Sequence, residues 1–400
     1  MAKIVFVCPE YHPVPPIEGG AVETWIENMA QRLKGHEVYV CSIYRDALKE
    51  CRQRGHVRYL YFKKGLLSKL ILCTYKLPFK KEDSSLFFLP YSLSFALKLR
   101  KVKPDIIHIH NRPQFVRIFK WLNPKAKIVL HIHQVSAMEE KNLWTYKFLN
   151  RVDLFLGCSR FLSEEIKRRF PKIQNKIGHV YNGVDLHQFE PWWKNTELRD
   201  ALRQKHGLEG KRVLLYVGRL AENKGADILI TAVRNLVMKG HKDLRLFICG
   251  ARGYSSQDVS PFMRQLFETA DQVKENVIFT EYVPHEQIHE YYLMADLVVI
   301  PSKVEEGFCV VTIEAMASGL PLMAFVKGAL SEIIRDRVDG ILINEGDVDH
   351  LEKELSIFLS LPDGYTAFGR HGRKRVEETF TWNHIHEALE EIYKGLMENA

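Results

Sequence analysis

Ten short apolar runs, interleaved with amphipathic stretches, constrain this chain more than any other feature of its sequence. Five lie in the first half: KIVFVC (3–8), HEVYVCSI (36–43), DIIHIH (105–110), KIVLHIH (127–133) and DLFLGCS (153–159). Five more follow: RVLLYVG (212–218), LRLFICG (244–250), NVIFT (276–280), DLVVIPS (296–302) and LPLMAFV (320–326). Runs this short, rich in β-branched residues, read as strands buried on both faces. Between them apolar positions recur every third or fourth residue, as at Val22, Trp25, Ile26, Met29 and Leu33, the spacing of a helix with one apolar face. Strand, helix, strand, repeated, predicts parallel sheets covered by helices on both sides: a doubly wound α/β fold, twice over.

Four hundred residues exceed one ordinary core and suit two domains of about 150–200 residues. The rhythm breaks over 186–211, around Pro191-Trp192-Trp193. This reading gives a first domain at 1–190 and a second at 191–380, with the last helical pattern (381–400) crossing back to the first. Two Rossmann-like domains facing across a cleft would bind ligands at the carboxyl ends of their strands.

Composition excludes several classes. Hydrophobic content of 46% with 26% charged residues rules out wholesale disorder. No stretch approaches the roughly 18 apolar residues of a membrane span, and the N-terminal run lacks a signal-peptide pattern. Seven scattered cysteines without a C-x-x-C pair argue for a reducing compartment and against a disulfide framework or zinc site. A cytoplasmic protein is expected, peripheral at the inner face of a membrane if it meets one. The net charge of +8 hides an asymmetry: residues 1–200 hold 34 Lys+Arg against 19 Asp+Glu, a net of +15, and the remainder nets −7. Such a one-sided field favours an anionic partner.

Three segments carry chemistry. Gly19-Gly20 opens a helix after the first strand, where uncovered backbone N–H groups at a positive helix end suit a phosphate, or simply a turn. In LLYVGRLAENKG the strand ends at Gly218, and Arg219 and Lys224 follow. Two cations at a strand's carboxyl end suit a diphosphate whose charge grows as it departs. In PSKVEEGFCVVTIEAMASGLP, Glu306 lies in a loop and Glu314 eight residues later, inside a helix expected over 308–318. An acid in an apolar helix is not a plain core position. It could accept both hydrogen bonds of a ribose diol, pair with an arginine, or cap a helix.

These residues resemble the retaining, family 4 glycosyltransferases of the GT-B fold. The matching pieces are Gly19-Gly20, His133, the NGVD of 182–185, G-R-x4-K at 218–224, and Glu306-x7-Glu314 within PS…EGF…EAMASGLP. The opening PVPPIEGGAVET and LHIHQ are similar to the branch of spore-coat and bacterial surface-polysaccharide transferases. The resemblance implies retention of configuration and a nucleotide-diphosphate sugar donor, UDP-linked by preference. Arg219 and Lys224 would grip its diphosphate beside Gly218, and Glu314 would hold the ribose. Glu306 and His133 would contact the transferred sugar. The Gly19-Gly20 loop would approach the distal phosphate, and Gly307, Phe308, Cys309 and Val310 would line the donor. No metal or other cofactor is expected, because the cations replace it.

Three positions depart from the family pattern: Cys309 stands where a glycine is usual, Ala329 follows Gly328 in place of a second glycine, and Glu281 replaces another. Histidines 108, 110, 131 and 133 fall on two strands and could converge, but no carboxylate or cysteine accompanies them at ligand spacing. Asp347-Val348-Asp349 reads as a helix cap rather than a metal-nucleotide chelate. The run KKGLLSKLILCTYKLPFKK (Lys63 to Lys81) predicts either a solvated face or a helix lying on an anionic membrane. The expected acceptor is an anionic glycan or a lipid-linked one. No nucleic-acid-reading module is present. A glycosidase is disfavoured because two cations await a phosphate. A non-catalytic GT-B scaffold, such as a coat assembly protein, is the alternative from another class.

Overall fold

The protein is described here from a computed structural model. It describes residues 1–63, 85–138, 148–250, 260–280, 283–361, 363 and 365–398. The lysine-rich run beyond Lys63, and Glu281, lie outside the described residues. The chain divides into two compact units, Met1–Asn182 with Trp382–Ala400, and Gly183–Thr381.

The first unit is built on eight strands: β1 (Lys3–Val7), β2 (Glu37–Ile43), β3 (Gln53–Arg54), β4 (Val57–Phe62), β5 (Ile106–His110), β6 (Lys127–Ile132), β7 (Leu154–Gly157) and β8 (Ile177–His179). Their order is β3-β4-β2-β1-β5-β6-β7-β8, parallel throughout except where β3 meets β4. Ile4, Phe6, Val38, Val40 and Val129 face the Ala21–Arg32 helix through Trp25, Ile26 and Met29, all fully buried. The closing helix, Trp382–Glu398, completes this core with Trp382, Ile385, Leu389 and Tyr393.

The second unit carries β9 (Arg212–Val217), β10 (Leu244–Cys249), β11 (Val277–Phe279), β12 (Leu297–Ile300), β13 (Leu322–Phe325) and β14 (Ile341–Ile343). All are parallel, in the order β11-β10-β9-β12-β13-β14. The first strand of the unit therefore sits beside the fourth. Connections leave β9 and β12 in opposite directions and open a crevice at their carboxyl ends, the place where open α/β sheets bind ligands. In the first unit the same reversal falls between β1 and β5.

All ten apolar runs contain strands, each trimmed by one to three residues. Two local expectations need correction. The helix after Glu306 starts at Val310, not at 308, because Cys309 has φ +70°, outside the helical region. The sixth strand ends at Ile132, because the His133 N–H leaves the ladder and donates to Asn111 Oδ1 at 2.7 Å.

Candidate functional site

In the second unit the loops after β9 and β12 meet. Gly225 (φ +73°) allows it: a Cβ there would lie 1.8 Å from the Pro301 carbonyl oxygen. Any side chain would push the loops apart. The Lys303 N–H donates to the Asn223 carbonyl at 3.0 Å, and Lys303 Nζ lies 2.6 Å from Asp227 Oδ2. Clamped this way, Lys224 Nζ reaches Glu306 Oε1 at 2.6 Å. The Ser302 hydroxyl donates to the same oxygen at 2.5 Å.

Glu306 is held from behind as well. A Cβ on Gly328 would fall 2.3 Å from the Glu306 carbonyl oxygen, which accepts the Ala329 N–H at 2.9 Å. Ala329 itself has φ −71°, so alanine there carries no backbone strain. Arg219 is exposed just past β9, after Gly218, whose N–H donates to the Cys249 carbonyl. The Tyr216 hydroxyl donates to the Arg219 carbonyl at 2.9 Å and orders this turn.

Gly307 and Phe308 lead into the Val310–Ala317 helix, with Phe308 buried edge-on against Phe380. Cys309 occupies the cap position in a left-handed conformation rare for a residue with a Cβ. Burial, with the Glu306 carboxylate nearby, pushes its thiol up to about 12. The thiol is therefore protonated and a poor nucleophile. One turn into the helix, Glu314 is buried. Its Oε2 accepts from the Tyr292 hydroxyl at 2.8 Å and its Oε1 lies 3.5 Å from His285 Nε2. Among the described residues it does not pair with an arginine, and it sits inside the helix rather than at its cap. The same carboxylate raises the His285 pKa above the ordinary value by hydrogen bonding. Tyr292 and His285 were not singled out from sequence: both precede β12, and only the fold brings them to Glu314.

The first unit holds the remaining predicted residues. Gly19 (φ +75°) and Gly20 (φ +112°) precede the Ala21–Arg32 helix. Its start is not uncovered, as the sequence suggested. The Glu23 carboxylate folds back so closely that a Cβ on Gly20 would lie 2.2 Å from its Oε2. Burial raises the pKa of Glu23 to about 7, against a smaller opposing pull from Arg112. Arg112 in turn makes a buried, two-pronged pair with Glu10 at 2.7 and 2.8 Å.

His133 Nε2 lies 2.9 Å from His110 Nδ1. Burial lowers its pKa to about 3, so it is a neutral hydrogen-bonding imidazole at physiological pH. The residue that fixes its backbone, Asn111, has φ +52° and follows β5. Sequence spacing gave no sign of that bond.

Among the described residues, two groups bring three possible metal-ligand atoms within 4.8 Å of one another: His108, His110 and His131, and Glu345, Asp347 and His350. In the first group the His108 and His110 rings are stacked, 11° from parallel at 4.5 Å, so their in-plane lone pairs do not converge on one point. In the second, Asp347 Oδ1 accepts the His350 N–H at 2.9 Å, the helix cap expected from sequence.

The crevice at the strand-order reversal, with two cations and two acids beside it, lies on the paired parallel-sheet frame of the GT-B fold. Two family models match in tandem: "Glycosyltransferase Family 4" over residues 19–188 and "Glycosyl transferases group 1" over residues 199–375. The chain belongs to the family 4 type of GT-B glycosyltransferases. It is 28% identical to spore coat protein SA of Bacillus subtilis, covering 98% of this chain and 99% of the relative. It is also 28% identical to the lipopolysaccharide 1,2-N-acetylglucosaminetransferase of Salmonella typhimurium, covering 98% of each. Among solved structures, the Anabaena HepE complex with UDP-glucose superposes with a TM-score of 0.77 at 18% identity, over 99% of this chain and all of that one.

Proposed function

We propose that this glycosyltransferase takes its sugar from a UDP-linked donor, retains the anomeric configuration, needs no metal, and serves an anionic glycan or lipid-linked acceptor. The observation that carries the reading is the Lys224–Glu306 pair at the strand-order reversal, with Arg219 on the same loop system. A diphosphate arriving there meets two fixed cations, whose attraction to the leaving group grows as the sugar–phosphate bond breaks. That is the contribution a divalent ion would otherwise make.

Glu314, oriented by Tyr292, would accept the two hydroxyls of the ribose. Glu306, freed from Lys224 when phosphate takes its place, would accept sugar hydroxyls. The backbone of Gly307, Phe308, Cys309 and Val310 would offer N–H groups at the start of the helix. The family's retaining outcome calls for acceptor attack on the face that the diphosphate vacates, with a phosphate oxygen taking the acceptor's proton. The UDP preference draws on the HepE complex, and the anionic acceptor on the basic first half of the chain.

The test is turnover of a panel of UDP-, GDP- and ADP-sugars by purified protein in EDTA, with product anomers read by NMR. Hydrolysis or transfer from UDP-sugars with retained configuration is expected. No turnover of any donor, with nucleotide binding intact, would favour the scaffold alternative instead.

A further inference from the structure

The second unit holds a cavity of about 300 Å³ that none of the residues assigned to the donor lines. One wall is the segment from His187 to Glu190. The Thr196–Lys205 and Ile288–Met294 helices supply the other, through Leu198, His289 and Leu293. These walls are pinned: the Arg199 guanidinium donates to the Leu293 carbonyl at 2.5 Å, and Gln188 Nε2 donates to the His285 carbonyl at 2.7 Å. Inside, the Glu190 carboxylate stands beside the Asn195 amide, whose Nδ2 donates to Glu190 Oε2 at 3.0 Å. Among the described residues, Glu190 Oε1 and Asn195 Oδ1 have no hydrogen-bond partner, and the buried His289 Nδ1 has none either.

Volume and lining select the ligand. A cavity at the lower end of the range for small-molecule sites takes one sugar ring and not a nucleotide. Among the described residues no Lys or Arg lines it, so nothing there would balance a phosphate. The open acceptors of Glu190 and Asn195, beside an imidazole nitrogen that can donate or accept, match neighbouring hydroxyls, each of which does both. Leu198 and Leu293 offer apolar surface for the C–H face of a ring.

The cavity wall also reaches Glu314. Gln188 holds the His285 carbonyl, and His285 Nε2 lies 3.5 Å from Glu314 Oε1. Phe189, the next residue of the wall, packs edge-on against Tyr292 with ring centroids 5.5 Å apart, and the Tyr292 hydroxyl donates to Glu314 Oε2. Each Glu314 oxygen is thus reached from the cavity through one intervening residue. We propose that this cavity binds a neutral monosaccharide, and that its occupancy changes the affinity of the donor site for nucleotide. The coupling rests on the role proposed above for Glu314; the sugar binding does not. By linkage the effect is reciprocal, so UDP changes the affinity for the sugar by the same factor.

The experiment is saturation-transfer NMR of the full chain with glucose, galactose and N-acetylglucosamine, first without nucleotide and then with saturating UDP. At least one sugar is expected to bind in both conditions, with its Kd shifted about fivefold or more by UDP. Isothermal titration of UDP with and without that sugar should give the same factor. Glu190→Gln should weaken sugar binding about tenfold, and Leu198→Trp, at an exposed position of the wall, should block it. Both variants should keep the wild-type melting temperature and the wild-type affinity for UDP alone, which reports that they fold. Gln188→Leu should still bind the sugar with a smaller shift in UDP affinity. No binding by any of the three sugars overturns the proposal, as does binding that Glu190→Gln and Leu198→Trp leave unchanged. Sugar binding that UDP displaces and Glu306→Gln abolishes belongs to the donor site and counts equally against it. An unchanged UDP affinity with the sugar bound overturns the coupling. Failure of UDP to bind at all removes the proposed function and the coupling with it, while the sugar site stands on its own readout.

Discussion

Lys224 and Glu306 are bonded to each other, Nζ to Oε1 at 2.6 Å, across two loops that Gly225 allows to touch. The cation proposed for a phosphate and the acid proposed for a sugar thus neutralise one another in the free protein. The pair keeps both side chains oriented, and under the proposed function an incoming diphosphate would exchange one anionic partner of Lys224 for another.

Lys224→Ala removes one phosphate cation and leaves Glu306 with Ser302 alone. Donor affinity should fall by roughly ten- to a hundredfold, the value of a charge-assisted hydrogen bond of about 1.5–3 kcal/mol. Arg219→Ala should do the same by loss of charge alone. Isothermal titration with UDP and with UDP-sugar gives both numbers, and undiminished affinity in both variants removes the assignment.

Glu314→Gln and Glu306→Gln should separate. The first should weaken binding of free UDP; the second should leave UDP binding nearly intact and lower turnover. Tyr292→Phe frees one Glu314 oxygen without touching charge, so it should reproduce part of the Glu314 defect in KM while kcat holds. Equal loss of UDP binding in the two glutamate variants contradicts the division of roles.

Glu23 yields a prediction about pH. Its folded pKa, about 7, lies above the ordinary carboxyl value of 4.5. The folded state therefore keeps a proton that the unfolded chain releases, and stability falls as pH rises between those values. Above about pH 7 the full penalty, on the order of 3 kcal/mol, is present. Glu23→Gln should match wild type at pH 4 and unfold at higher denaturant at pH 8. Identical denaturation midpoints at pH 8 would show that Glu23 is not buried in this way.

Cys309 holds a left-handed backbone that costs a residue with a Cβ about 1–2 kcal/mol. Glycine accepts that conformation freely but adds chain entropy to the unfolded state. Cys309→Gly should thus stabilise the second unit by up to about 1 kcal/mol in thermal unfolding. Because the thiol lies near Glu306 and Lys224, the same change should alter KM among donor sugars more than it alters UDP affinity. A variant that is less stable than wild type would show that thiol packing outweighs the strain.

The buried strands were legible because a sheet covered on both faces needs unbroken apolar runs, and such runs survive in the sequence as KIVFV or LLYV. Strand β4 was not. Its residues, VRYLYF, leave Arg58 exposed while Val57 and Tyr59 are buried, and it lies in a stretch whose charge dominated the reading. The loop cations and acids could be found because their spacing along the chain is fixed by the strand–loop–helix unit that carries them. Tyr292, His285, Asn111 and Glu23 could not, since each reaches its partner through tertiary packing or a side-chain turn that leaves no periodic trace. The start of the Val310–Ala317 helix was misjudged for a related reason. Apolar spacing continues smoothly through Phe308 and Cys309, and only the backbone dihedral breaks it.

The Trp382–Glu398 helix fills the core of a unit whose other residues end at Asn182. The ribosome therefore releases the middle two hundred residues before the beginning can be finished. During synthesis the first sheet waits with Trp25 and its neighbours lacking Trp382, Leu389 and Tyr393, while the second unit, continuous in sequence, is free to fold at once. A chain stopped short of residue 382 would leave that waiting state permanent, and quality control would meet a protein with one finished half and one open one.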